Sequence, residues 1–198
     1  FLLGICCGFV SLYFTRMIYF LEGIFKKMKK PIWKFLLGSI ILSTTIFVFP
    51  PLYGEGYDSI IKLLGGHADT ITDESFFYAW KDNFGVLALF LALIVLFKVF
   101  ATAATNGGGG VGGTFAPSLY VGCIFGFLFA FLVNHFNPFA ISLSTTNFAL
   151  MGMAGVMSGV MHAPLMALFL TAELTGSYDL FLPLMITSAV AFWTIRMF

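Results

Sequence analysis

The chain has 198 residues, 60% of them hydrophobic and 10% charged, against roughly 25% charged in a soluble globular domain. With 26 Phe, 21 Gly and a mean hydropathy of +0.99, it lacks the polar surface to coat a water-soluble particle and is far too apolar to be intrinsically disordered. Ten Lys plus Arg oppose nine Asp plus Glu for a net charge of +1, so nothing in the bulk charge argues for nucleic acid, and the surrounding medium is a lipid bilayer.

A first helix is expected from Phe1 to about Ile24, interrupted in polarity only by Arg16 and Glu22. Phe1 enters apolar sequence with no charged leader region and no small-residue cleavage site, so the chain reads as part of a longer protein. A second helix is expected from about Ile32 to Val48, stopped by the ring sterics of Pro50-Pro51. Five of the ten basic residues fall between Lys26 and Lys34, which assigns the intervening turn to the cytoplasm. Residues 51–83 then hold six of the nine acids, Glu55, Asp58, Asp69, Asp73, Glu74 and Asp82. Punctuated by Gly54, Gly56, Gly65 and Gly66, this is a polar loop inside a transmembrane domain covering 1–198, and it should face outward. A short apolar helix near Ser59 to Leu64 fits there, though its periodicity is too brief to decide.

From Val99 to Ala172 no Asp, Glu, Lys or Arg occurs in 74 residues. Helices are expected over about Val86 to Ala104, Ala116 to Val133, Phe148 to Met157, Pro164 to Leu174 and Leu182 to Met197. They are separated at Asn106 to Gly113, Asn134 to Pro138, Ser142 to Asn147 and the small residues of Met151 to Gly159. Several fall short of the ~20 residues a crossing needs. Short, Gly-interrupted apolar segments are helices that break or re-enter at membrane depth, where irregular backbone survives only if buried in protein or lining a cavity. The fold class is therefore all-α, a polytopic membrane protein with broken and re-entrant helices.

The break between Asn106 and the next helix holds six glycines in the seven positions Gly107 to Gly113, followed by Thr114-Phe115-Ala116-Pro117-Ser118. The amides of a helix's first turn lack intrahelical acceptors, and its dipole places about half a positive charge there, so such an end attracts anions. Pro117 suits a first turn, and glycine lets backbone approach a ligand closely. A phosphate-binding P-loop is excluded by the missing Gly-Lys-Ser/Thr ending and the absence of a nearby carboxylate for magnesium. An anion held by amides and dipole alone is held moderately, which suits permeation. The competing reading, that the glycines only allow close helix packing, is equally compatible with the glycine count.

Gly112-Gly113-Thr114-Phe115-Ala116-Pro117 resembles the GxFxP-type motif of the ClC chloride channels and proton-coupled chloride transporters. Gly152-Met153-Ala154-Gly155, His162-Ala163-Pro164-Leu165 and Thr171-Ala172-Glu173-Leu174-Thr175 resemble that family's later helices in the same order. The resemblance spans essentially the whole chain and implies the second half of an inverted-repeat fold. It implies that the Thr114 and Phe115 amides contact a chloride, that Gly112 and Gly113 make room, and that Ala116 and Pro117 start the helix. Thr114 departs from the usual Ile. The family's gating glutamate, its Gly-Ser-Gly-Ile-Pro motif and its proton-transfer glutamate belong to the first repeat, and its pore tyrosine lies past Phe198. The function implied is chloride transport in exchange for protons in the plasma membrane, with a passive chloride channel as the alternative. A homodimer through the helices near 164–174 and 182–197 is implied as well, packed by Leu168, Phe169, Leu184 and Ile186.

The remaining candidates read as structural. Lys98, at the edge of the uncharged run, is expected to snorkel to the interface, with a contribution to anion potential as the competing reading. Glu173 reads as an acid satisfying amides at a helix end, and His135 and His162 lack metal-ligand spacing. Cys6, Cys7 and Cys123 are an odd number in apolar runs, so neither a disulfide framework nor a metal site follows. No Gly-x-Ser-x-Gly elbow accompanies the serines. An intramembrane enzyme and a purely structural membrane subunit are thus remote alternatives, and chloride is a substrate with no cofactor implied.

Overall fold

The computed structural model describes residues 1–65, 83–136, 142–176 and 178–198, all helix and connection with no strand among them. In chain order the helices are α1 (Leu2–Lys27), α2 (Pro31–Val48), α3 (Tyr57–Leu64), α4 (Phe84–Gly107), α5 (Phe115–His135), α6 (Thr145–Met161), α7 (Pro164–Thr175) and α8 (Phe181–Met197), with a 3-10 turn at Pro50–Leu52. Most of the acidic 51–83 segment and the Asn137-Pro138 break lie outside the described residues.

Helices α1, α2, α4 and α5, of 26, 18, 24 and 21 residues, are long and apolar enough to cross a membrane. The 17, 12 and 17 residues of α6, α7 and α8 are not, as expected of an integral membrane protein whose helices break at membrane depth. The outer faces match a lipid medium. Ile32, Phe35, Ile40 and Phe47 of α2 are all more than half exposed.

Helix α6 is the hub, packed by α5, α8, α1 and α7. It is longer at both ends than the sequence suggests. Ser144 caps it, its Oγ accepting from the Asn147 amide at 3.4 Å, so within the expected Ser142 to Asn147 break the helix already begins at Thr145. The glycines after Met151 do not break it either, because each is an approach point for a neighbouring helix. Gly152 packs on Gly122 and Gly126 of α5, Gly155 on Cys7 of α1, and Gly159 on Ser11 of α1. Without an interhelical hydrophobic drive in lipid, such close van der Waals contact is what holds helices together. Polar bonds reinforce it: Ser11 Oγ donates to the Val156 carbonyl at 2.9 Å, and Ser158 Oγ to the Ser188 carbonyl at 2.8 Å.

Two expectations are corrected here. Lys98 does not snorkel: it is 2% exposed and points into the protein. On α7 and α8, Leu168 and Leu184 are buried in the chain's own core, at 2% and 1% exposure, so neither can pack a partner. Outward side chains there include Leu165, Phe169, Leu182 and Met185.

Candidate anion-binding site

The glycine run does two jobs in two halves. Gly107 ends α4 against the Phe25 ring, and Gly108 lies on the backbone of Ala104 and next to Gly38 of α2. These two are packing glycines. Gly109 turns the chain with φ 97°, a conformation costly to any residue with a Cβ. Gly112 and Gly113 then face a cavity of about 490 Å³, and a Cβ at Gly113 would meet nothing nearer than the Phe115 nitrogen at 3.9 Å.

Three segments besides the glycine turn enclose this cavity: α2 through Leu42 and Ile46, the turn from Leu52 to Glu55, and the last three turns of α4. Phe115, Ala116 and Pro117 at the start of α5 close it. The first backbone bond of α5 runs from the Ser118 amide to the Thr114 carbonyl at 3.1 Å. Pro117 has no N–H, so the amides of Phe115 and Ala116 are the donors of that turn without an intrahelical acceptor. Of the six residues singled out in the sequence, Gly112, Gly113, Phe115, Ala116 and Pro117 line the cavity together, whereas Thr114 does not. Its hydroxyl points away, 3.9 Å from the Met161 sulfur of α6.

At the other end of the cavity stands Lys98. Its Nζ donates to the carbonyls of Leu52 at 3.1 Å and Gly54 at 2.8 Å and lies 4.6 Å from the centre of the Tyr120 ring. Tyr120 Oη in turn donates to the Pro51 carbonyl at 2.8 Å. The turn after α2 is thus pinned by one side chain from α4 and one from α5. No carboxylate of the described residues comes within 4.0 Å of Nζ. Among the described residues its positive charge is met by carbonyl dipoles and a ring face.

Between Lys98 and the glycines, α4 presents Thr102, Thr105 and Asn106 to the cavity. Spacings of four, seven and eight residues put them on one helical face with Lys98. The threonine hydroxyls donate back to the carbonyls of Lys98 and Ala101 at 2.8 and 2.9 Å. Asn106 Oδ1 is the buried side-chain polar atom left without a partner among the described residues, and a Cβ on Gly112 would come 2.6 Å from it. This polar stripe inside an apolar helix was readable as a periodicity and was missed because the glycine run beside it drew the boundary at Asn106. The Leu52 and Gly54 carbonyls left no trace in the sequence. Glu173 sits at the end of α7, exposed, with Tyr178 Oη 3.4 Å from its Oε2. His135 stacks on Phe84 at 3.5 Å between ring centres, and among the described residues no group of His, Cys, Asp or Glu is placed to hold a metal.

Comparison with known proteins bears on this geometry. Residues 1–196 match the family model described as voltage gated chloride channel. The chain is 29% identical over 193 residues to a ClcB-like chloride channel protein of Ralstonia nicotianae, covering 97% of this chain and 41% of that protein. It is 30% identical over 161 residues to the voltage-gated ClC-type chloride channel ClcB of Escherichia coli strain SMS-3-5, covering 81% of this chain and 34% of that protein. The chain therefore spans 34% to 41% of the length of these relatives.

Proposed function

The chain belongs to the voltage gated chloride channel family, and from that premise we propose that its protein carries chloride across the membrane, with the cavity between Lys98 and the start of α5 as part of the anion's path. One observation carries this reading: a buried ammonium with no carboxylate of the described residues in contact and a helix start whose first amides lack an intrahelical acceptor line the same cavity. An anion inside it gains from both ends, and because the Lys98 charge is already shared with the Leu52 and Gly54 carbonyls the hold stays moderate, as permeation needs. The backbone amides of Phe115 and Ala116 are the donors that suit a partly dehydrated halide. The Thr114 amide, one residue earlier, belongs to the same turn.

Chloride efflux from liposomes holding the intact protein tests this. Gly113→Val should cut efflux at least about tenfold, since its branched side chain would project into the cavity without straining the backbone, and Gly113→Ala should reduce it less. Native efflux from Gly113→Val would reduce the glycine break to a packing device.

Proton exchange is the transport mode we favour. The relatives' names, which speak of channels, favour passive conduction as a second reading. A chloride gradient that drives protons uphill into the liposomes supports exchange, and chloride flux with no proton movement supports a channel. The exposed face of Leu165, Phe169, Leu182 and Met185 is the surface we assign to a homodimer contact.

A further inference from the structure

Glu55 stands where two cavities meet. It lines the one shared by Lys98 and the α5 start, and it lines a neighbouring cleft of about 510 Å³ whose other charged walls are Asp58 and Lys62. The chain holds Glu55 in that place from both sides. Before it, the Gly54 carbonyl accepts from Lys98 Nζ at 2.8 Å. After it, Gly56 takes a left-handed φ of 88° and lies against the Tyr120 ring so closely that a Cβ would collide with it. The carboxylate itself is exposed at the rim, beyond ion-pair distance of Lys98.

A buried cation without a neutralising partner is costly. Two negative charges can relieve the cost at Lys98: an anion inside the cavity, or Glu55, which lines the same cavity at its exposed edge. Both cannot do so fully, because two negative charges at one cavity repel each other.

We infer that Glu55 is the chain's own competitor for the anion: its carboxylate shares the Lys98 charge with any anion in the cavity, and so lowers the anion's occupancy and speeds its departure. The inference rests on the reading of this cavity as an anion path. It assigns Glu55 a role in setting affinity, without a role in coordinating the anion.

The test measures chloride affinity of the intact protein by calorimetry, and the chloride dependence of efflux from liposomes, at low and high ionic strength. Glu55→Gln should tighten the chloride Kd about three- to tenfold at low ionic strength, and the gain should shrink in roughly 0.5 M salt of an impermeant anion, as a charge effect at a wet rim must. Glu55→Asp, which keeps the charge, should stay within about twofold of the native Kd. An unchanged or weaker Kd in Glu55→Gln overturns the inference, and so does a gain that salt leaves intact. Gly113→Val keeps the two levels apart. If it binds chloride as the native protein does, the cavity is not the anion's path and the underlying reading fails. If it abolishes binding while Glu55→Gln tightens nothing, the role of Glu55 alone fails.

Discussion

Gly122 of α5 and Gly152 of α6 face each other so closely that a Cβ added to either would run into the other's backbone carbonyl. Gly126, one turn on, meets the carbonyl of Phe148 in the same way. The helix that begins at the candidate anion site is thereby locked to the hub of the bundle, which fixes where its first amides point.

Gly152→Ala should therefore destabilise the protein by about 2 kcal/mol or more, because backbone on the facing helix cannot yield as a side chain would. Gly23→Ala in α1, where a Cβ meets nothing within 4 Å, should be neutral or stabilising by up to about 1 kcal/mol. Thermal unfolding in detergent, read by circular dichroism, compares the two.

At the site, side-chain chemistry should matter less than backbone approach. Thr114→Ser is expected to transport within about twofold of native, since its hydroxyl faces Met161 away from the cavity, whereas Gly113→Val should lose at least about tenfold, equivalent to 1.4 kcal/mol or more. Initial rates of chloride efflux from liposomes measure both.

Lys98 has a structural task and an electrostatic one, and two variants part them. Lys98→Met keeps the length and loses the charge. It leaves the Leu52 and Gly54 carbonyls without their donor, at a cost of about 1 to 3 kcal/mol for each that stays buried. It should lower the melting temperature and weaken chloride affinity together. Lys98→Arg retains the charge, and its affinity should exceed that of Lys98→Met even where the bulkier head disturbs the turn.

The outward face of α7 and α8 makes a distinct prediction about assembly. Leu165→Lys combined with Leu182→Lys should shift the intact protein toward monomer in detergent sizing while leaving its fold intact, since both side chains are more than 60% exposed. Leu184→Trp, at 1% exposure, should instead lower the melting temperature, because it overpacks a filled core.

Topology follows from charge alone. Single cysteines at Lys29 and Asp58, both exposed, should differ in reach of a membrane-impermeant thiol reagent applied outside intact cells: Asp58→Cys reacts and Lys29→Cys does not. The opposite pattern would invert the assignment.

Composition and charge spacing were enough to establish a polytopic helical membrane protein, because lipid admits few backbone solutions and a crossing helix needs a long uncharged run. The sequence also pointed to Gly112 through Pro117, since a glycine turn feeding a helix start is a local feature read in order along the chain. It misjudged the glycines within Thr145–Met161, because a glycine that breaks a helix and one that lets another helix approach look alike until the neighbour is in place. It misjudged Lys98 for a related reason. Whether a lysine reaches outward to water or inward to carbonyls depends on what lies around it, and the Leu52 and Gly54 carbonyls that receive it are 46 and 44 residues away in the chain. Side-chain identity alone carries no record of a backbone oxygen brought across such a distance. The cavity, with its ammonium at one end and the first amides of α5 at the other, exists only once α2, α4 and α5 have packed.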